Sequence, residues 1–175
     1  MQTITIKPVN IHDLATIQTI GRQTFAETFA QHNDEHDMEA YLATSFSEEK
    51  LSSELNNPAS YFFIAYEGNT PIGYLKLNTG LAQTEAQATD AMEIERIYVL
   101  AAYHGKKVGQ LLYEQALTTA KALHASYLWL GVWEENKRAI GFYAKNGFVP
   151  FGQHVFKIGD DEQLDILMKK TLFDQ

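Results

Sequence analysis

The sequence contains no cysteine among its 175 residues, and this absence excludes several kinds of chemistry. Disulfide bonds, thiolate metal sites and a cysteine nucleophile are all impossible. The lack of thiols suits a reducing interior, so we expect a cytoplasmic protein. No apolar run approaches ~18 residues, and we therefore expect no transmembrane helix and no membrane partner. The six histidines form no pair at helical spacing with a third ligand nearby, so we predict no metal site.

Basic residues are also scarce, since 14 Lys and Arg stand against 22 Asp and Glu, which gives a net charge of −8. A negative field opposes nucleic-acid binding, which depends on neutralising phosphates, and it favours cationic substrates. We therefore expect no nucleic-acid partner. The composition is 45% hydrophobic and 21% charged, which is typical of a globular chain. The length predicts a single domain over residues 1–175.

Apolar spacing predicts seven strands and four helical regions in the order β-α-α-β-β-β-α-β-α-β-β. The strands are predicted at "TITIKPV", "SYFFIAY", "PIGYLKL", "MEIERIYVL", "SYLWLGVW", "VPFGQHVFKI" and "QLDILMKKTL". The helical regions are predicted at 10–29, about 37–55, 106–124 and "NKRAIGFYAKNGF". The connection 78–91 has little periodicity and is predicted to be mobile. The β-α-β segment 92–133 requires a parallel pair of strands.

A small basic turn joins the fourth strand to its helix in "LAAYHGKKVGQLL". A helix that begins at Lys106 presents unpaired N–H groups and the positive end of its dipole at this turn. Gly105 and Gly109 remove Cβ atoms that would block close approach, and Lys106 and Lys107 add positive charge. The pattern favours a phosphate site at the helix N-terminus. The alternative is a tight turn whose lysines are merely solvated.

The segments "ERIYVLAAYHGKKVGQLL" and "LGVWEENKRAIGFYAKNGFVPFG" together resemble the GCN5-related N-acetyltransferases, the GNAT superfamily. They look similar to its bacterial spermidine/spermine N-acetyltransferase branch. The resemblance covers at least residues 72–151 and implies the α/β (α+β) GNAT fold, a mixed twisted sheet of about seven strands flanked by about four helices.

In the family a Gln/Arg-x-x-Gly-x-Gly/Ala segment binds the pyrophosphate of coenzyme A. The resemblance places its six positions at His104, Gly105, Lys106, Lys107, Val108 and Gly109, followed by Gln110. Histidine replaces the first Gln or Arg, and Lys107 replaces the middle glycine, whereas the final glycine is kept.

The resemblance also implies the rest of the coenzyme site. The fourth strand is expected to splay from "LGVW" at a bulge, which frees the backbone of Ile97, Tyr98 and Val99 to pair with pantetheine. Asn136 is expected to contact the coenzyme arm, or to serve as a plain helix N-cap, or both. Two cations of the same helix are expected either to touch phosphates or to be solvated: Arg138 and Lys145.

Catalytic residues are expected at three positions. Tyr143 matches the family tyrosine that protonates the coenzyme A sulfur, although it is alternatively a half-buried packing residue. Glu93 and Glu95 alternate along a strand and should face the same side, where buried acids are costly without partners. Either is a candidate base, and we place Glu95 ahead of Glu93. The alternative is that one of them pairs with Arg96 or a neighbouring lysine.

The resemblance therefore implies an acetyl-CoA-dependent N-acetyltransferase that acts by direct attack in a ternary complex. We expect the acceptor to be a primary amine of a small cation, such as the polyamines spermidine and spermine. The acidic segments "NDEHDMEAY" and 78–91 are expected to frame the polyamine channel. Two alternatives remain open, an N-acetyltransferase of protein or peptide amines and a non-catalytic acyl-CoA-binding module. Homodimers are common in the family, so a homodimer is also possible.

Overall fold

The computed structural model describes residues 3–173, apart from the side chain of His32. Within that range one sheet contains the strands β1 (Ile4–Pro8), β2 (Ser60–Glu67), β3 (Thr70–Thr79), β4 (Met92–Val99), β5 (Tyr127–Trp133), β6 (Val149–Ile158) and β7 (Asp161–Thr171). The helices are α1 (Leu14–Phe29), α2 (Glu35–Ser45), α3 (Glu48–Leu55), α4 (Val108–Ala122) and α5 (Lys137–Lys145). None of the described helices is long and apolar enough to cross a membrane. The ends of the predicted domain, residues 1–2 and 174–175, lie outside the described residues.

The sheet has the order β1-β2-β3-β4-β5-β7-β6, and only the central pair β4–β5 is parallel. This confirms the predicted mixed sheet and its parallel pair. On one side, which we call the α4 face, α4 buries apolar residues such as Leu112 and Ala116. On the other side, the α1 face, α1–α3 bury residues such as Ile17 and Leu51. Each fully buried aliphatic side chain contributes about 1.5–3 kcal/mol, so both layers are fixed against the strands.

The second predicted helical region, about 37–55, is two helices. α2 ends at Ser45 and α3 begins at Glu48, because the Ser47 side chain accepts a hydrogen bond from the Lys50 N–H at 3.1 Å and starts a new helix. Three α-helices therefore follow β1, and the described residues contain five α-helices where about four helices were predicted. The apolar spacing continues through the break, and the cap residue alone marks it.

The helix that follows β4 begins two residues later than predicted, at Val108. Lys107 has the left-handed values φ 65 and ψ 16, and Gly105 has φ 80, so neither residue can extend the helix. A non-glycine residue in this region costs about 1–2 kcal/mol. Residues 104–107 therefore form a separate loop in front of α4.

Side-chain hydrogen bonds tie the connection between β3 and β4, which was predicted to be mobile, to the sheet. The Thr84 N–H and hydroxyl donate to the two carboxylate oxygens of Glu93 at 2.8 and 2.5 Å. The Trp129 indole donates to Gln83 Oε1 at 2.7 Å. The partners, Glu93 and Trp129, lie on β4 and β5. The periodicity of the connection itself therefore does not predict these hydrogen bonds.

Candidate active site

A cleft opens where β4 and β5 diverge. Among the described residues the two strands pair only at Met92–Leu128 and Glu93–Trp129. β4 stays paired with β3 as far as Val99, and β5 stays paired with β7 as far as Trp133. The edge of β4 that faces β5 therefore has backbone groups with no strand partner, as predicted for Ile97–Val99. An extended ligand can pair with such an edge as an added strand does.

A β-bulge at Glu95 bends β4 at the start of the cleft. The register with β3 passes from Lys76–Arg96 to Leu77–Ile94, so Glu95 is the extra residue. A bulge bends its strand and increases the local twist, which accounts for the divergence of β4 from β5. The predicted bulge is therefore present.

Glu93 is buried at the inner end of the cleft, with 3% of its surface exposed. Besides the two bonds from Thr84, its carboxylate accepts a hydrogen bond from Asn78 Nδ2 at 3.0 Å. Burial raises the pKa of Glu93, and the bonds from Thr84 and Asn78 oppose that rise only in part. A carboxylate with a raised pKa is suited to accept a proton near neutral pH.

Glu95 is engaged by cations on both sides. Its carboxylate lies 2.8 Å from Lys76 Nζ and 3.2 Å from an Arg96 nitrogen, and Asn78 Nδ2 donates to it at 2.8 Å. Glu54 of α3 also contacts both cations at 3.0 Å. Burial alone would raise the pKa of Glu95, but Arg96 and Lys76 together lower it to about 2. Glu95 therefore pairs with Arg96 and a neighbouring lysine, which was the alternative interpretation.

The shared partner Asn78 shows that Glu93 and Glu95 face the same side of the sheet, as predicted. The two carboxylates differ in the charge of the groups around them. Glu93 has neutral hydrogen-bond donors, whereas Glu95 has two cations. These contacts weigh against the order of preference that the sequence suggested for the base.

Tyr143 of α5 is 7% exposed and packs between aromatic rings. Its ring centroid lies 5.5 Å from that of Phe142 and 5.7 Å from that of Phe148. Burial raises the pKa of the Tyr143 hydroxyl, and Tyr98 of β4 raises it further. Tyr143 belongs to the core of the α4 face and Tyr98 to that of the α1 face.

The loop before α4 forms an open cradle. A Cβ built on Gly105 or on Gly109 would have no atom within 4 Å. Val108 is 1% exposed and anchors the first turn of the helix, while Lys107 is exposed. The first N–H groups of α4 have no partner within the helix and carry the positive end of its dipole. The cradle therefore has the charge and the space that a phosphate requires.

Other residues predicted for the coenzyme site have additional partners. A ring nitrogen of His104 lies 2.9 Å from the Val99 carbonyl oxygen, which ties the loop to the end of β4. Gln110 Nε2 donates to Asn146 Oδ1 at 3.3 Å and links α4 to α5. Asn136 Oδ1 accepts from the Ala139 N–H at 3.2 Å, so its N-cap role is confirmed.

The cations predicted near the phosphates are all exposed: Lys106, Lys107, Arg138 and Lys145. Lys106 lies over the Tyr103 ring, 5.1 Å from its centroid. Because these side chains are exposed, they can turn toward a bound anion or remain solvated, which are the two roles that were expected for them.

Sequence analysis missed an acid–histidine cluster, which we define as Asp165, His154 and Glu85. His154 Nδ1 lies 3.0 Å from Glu85 Oε2, and Nε2 lies 3.3 Å from Asp165 Oδ2. Across residues 3–173 no group of three or more His, Asp or Glu side chains is arranged to hold a metal ion. The alternation of β6 and β7 indicates that His154 and Asp165 share a face, but no signal in the sequence brings Glu85 to them.

Comparison with known proteins assigns the chain to a class. The model of the acetyltransferase (GNAT) family matches residues 22–148. The chain belongs to this family and is an N-acetyltransferase. The seven-stranded sheet with its flanking helices is the family fold.

Particular relatives cover almost the whole chain. It is 40% identical over 172 residues to an uncharacterized N-acetyltransferase in the pepI 3′ region of Lactobacillus delbrueckii subsp. lactis, with 98% of this chain and 99% of the relative covered. It is 27% identical to the spermidine N(1)-acetyltransferase of Thermoplasma acidophilum, with 96% and 97% covered. The crystal structure of the PaiA N-acetyltransferase from that organism, in complex with coenzyme A, has a TM-score of 0.79 and 27% identity and covers 97% of this chain and 99% of its own.

Proposed function

We propose that the protein transfers the acetyl group of acetyl-CoA to a primary amine of a small cationic acceptor, of the polyamine class that includes spermidine and spermine. The observation that carries this proposal is the cleft between β4 and β5, which leads to the glycine cradle of α4. The relatives from Thermoplasma acidophilum, one named for spermidine and one bound to coenzyme A, support it. The net charge of −8 suits a cationic acceptor.

The residues present fit the coenzyme. The edge of β4 at 97–99, which has no strand partner, would pair with the pantetheine arm, and the N–H groups at the start of α4 would bind the pyrophosphate. Gly105 and Gly109 leave the space for it. Asn136 would contact the arm from the start of α5, where Arg138 adds positive charge, and Lys145 adds a second cation at the end of that helix.

The chemistry requires few groups from the chain. Acetyl-CoA, when bound, supplies the acetyl group as a thioester. A β4 N–H near the bulge would polarise the thioester carbonyl. Tyr143 would give its hydroxyl proton to the leaving sulfur, and its raised pKa keeps that proton in place at neutral pH. The chain has no cysteine, and direct attack by the amine in a ternary complex needs no nucleophilic side chain.

Glu93 is the better candidate for the base that removes the ammonium proton. Its pKa is raised by burial, whereas Glu95 has a pKa of about 2 and serves as the counter-ion of Arg96 and Lys76. Glu95 contributes stability because its pKa falls below the ordinary value of 4.5 on folding. That stability is present above pH 4.5 and is lost as the pH falls toward 2.

Replacing each glutamate by glutamine should distinguish the role of Glu93 from that of Glu95. Glu93→Gln should lower kcat/KM by about 10-fold or more and flatten the acidic limb of its pH profile, because the base is lost. Glu95→Gln should retain the limb but lower the free energy of unfolding by about 1–3 kcal/mol at pH 7, because Lys76 and Arg96 then keep Glu54 alone as a carboxylate partner. Urea unfolding and pH-dependent kinetics measure the two effects. A limb that persists in Glu93→Gln and vanishes in Glu95→Gln would reverse the assignment.

An amine panel tests the function itself. Pure protein is incubated with acetyl-CoA and polyamines, amino acids, aminoglycosides or peptides, and thiol release is followed. We expect release with polyamines and a KM that rises with salt, because salt screens the attraction between the charges. Release with peptides alone, at a salt-insensitive KM, would favour a peptide acetyltransferase. Binding of coenzyme A without release from any amine would indicate a non-catalytic module.

A further inference from the structure

The carboxylate of Glu93 is almost covered, since only 3% of the residue's surface is exposed. Its Oε1 accepts hydrogen bonds from Asn78 Nδ2 at 3.0 Å and from the Thr84 N–H at 2.8 Å. Its Oε2 accepts from the Thr84 hydroxyl at 2.5 Å. A carboxylate has about four acceptor sites, so these bonds leave roughly one, on Oε2. A proton that passes from an acceptor amine to Glu93 therefore needs a group that connects Oε2 with the surface.

Thr84 lies at the inner end of the cleft. Glu93 and Trp129 form the last pair of residues before β4 and β5 diverge. Thr84 donates to Glu93, and the preceding Gln83 accepts from the Trp129 indole at 2.7 Å. The connection between β3 and β4 is therefore bonded to both strands at the point where the cleft begins. Thr84 itself is exposed, although its hydroxyl bonds to a buried carboxylate.

The Thr84 hydroxyl has the chemistry of a proton relay. A hydroxyl that donates one hydrogen bond can accept another at the same time, so an ammonium N–H can donate to Thr84 Oγ1 while Oγ1 donates to Glu93. The backbone N–H of Thr84 also bonds to Glu93, which fixes the residue over the carboxylate independently of its side chain. The position of the hydroxyl is therefore set before an amine arrives.

The residues that contact Glu93 from β3, from β5 and from the connection are uncharged: Asn78, Trp129 and Thr84. On its own strand Glu93 faces Glu95, which is paired with Lys76 and Arg96. Burial raises the pKa of Glu93, the hydrogen bond from the Thr84 hydroxyl opposes that rise, and Glu95 adds to it. Loss of the hydroxyl alone should therefore raise the pKa of Glu93 further.

We propose that the Thr84 hydroxyl carries the proton from the acceptor amine to Glu93. An N–H bond of the ammonium breaks and its proton bonds to Thr84 Oγ1, while the original hydroxyl proton moves to Glu93 Oε2. The amine, the threonine and the glutamic acid are then all neutral, and no other reactant is consumed. This inference rests on the proposed function, since it concerns the same transfer and the same base.

Thr84→Val tests the relay because valine keeps the branched shape and the backbone N–H but removes the hydroxyl. The acidic limb of the pH profile should move to higher pH, and the plateau of kcat/KM above the limb should fall by about 10-fold or more. A hydroxyl that only tunes the pKa of Glu93 would shift the limb and leave the plateau unchanged. Thr84→Ser keeps the hydroxyl and should lose far less of the plateau than Thr84→Val.

Thr79→Val is the matched control. Thr79 ends β3, and its hydroxyl donates to the Ala59 carbonyl oxygen at 3.0 Å, away from Glu93. This variant should keep both the plateau and the limb. A double-mutant cycle adds a second measurement: Thr84→Val introduced into Glu93→Gln should cost no further activity, because the two residues act in one proton path. Thermal unfolding of each variant identifies any that fails to fold.

The outcomes separate the relay from the proposed function. A full plateau in Thr84→Val, a loss in Thr84→Ser as large as in Thr84→Val, or additive losses in the double variant would each overturn the relay and leave the acetyltransferase intact. A limb that persists in Glu93→Gln would remove the base, and the relay with it, while thiol release still demonstrates transfer. No thiol release from any amine would overturn the proposed function itself.

Discussion

Tyr143→Phe is expected to lower kcat for acetyl transfer by about 100-fold, because a positioned general acid contributes at least that much. The substitution removes one oxygen and keeps the ring, so the packing against Phe142 and Phe148 should persist. The affinity for coenzyme A should therefore change little. Steady-state kinetics with the best amine of the panel and calorimetry with coenzyme A measure the two quantities.

Tyr113→Phe is the matched control for this prediction. Tyr113 is 2% exposed and packs against the same two phenylalanines, but its hydroxyl accepts a hydrogen bond from Lys170 Nζ at 3.2 Å. It should lose a little stability and keep kcat. If Tyr143→Phe and Tyr113→Phe retain kcat alike, Tyr143 is a packing residue and another group protonates the sulfur.

The parts of the fold that could be predicted are those set by neighbouring residues. The strands "MEIERIYVL" and "SYLWLGVW", with a helix between them, predicted a parallel pair. The glycines of "HGKKVG" predicted the turn that precedes α4. The start of that helix was wrong by two residues, because a left-handed lysine at 107 is uncommon and composition does not signal it.

The parts that could not be predicted depend on partners far apart in the chain. Glu54 of α3 meets Arg96 across 42 positions, and Glu85 meets His154 across 69. Such contacts follow from strand order and register, which place distant residues on one face. An acidic residue in an apolar strand therefore predicts that a partner exists, as it did for Glu95. Its position in the sequence does not distinguish a counter-ion from a catalytic base.

Gly109→Leu is expected to weaken coenzyme A binding by at least about 100-fold, the equivalent of roughly two charge-assisted hydrogen bonds. The leucine side chain would occupy the open cradle, where no atom beyond the chain neighbours and the backbone of the same helix lies within 4 Å of its Cβ. For the same reason the free protein should accept the side chain without strain, and the melting temperature should stay the same or rise slightly. Calorimetry with coenzyme A and thermal unfolding of the free protein measure both.

Gly141→Leu makes the same substitution in α5, where a Cβ also has no atom within 4 Å and the residue is exposed. It should leave coenzyme A affinity unchanged, which separates the effect of the cradle from that of removing any helical glycine. If Gly109→Leu is stable and binds coenzyme A like the wild type, the pyrophosphate does not lie at the start of α4. A variant that loses affinity only because it unfolds would show a lowered melting temperature. The combination of intact folding and lost binding is therefore the result that ties the cradle to the coenzyme.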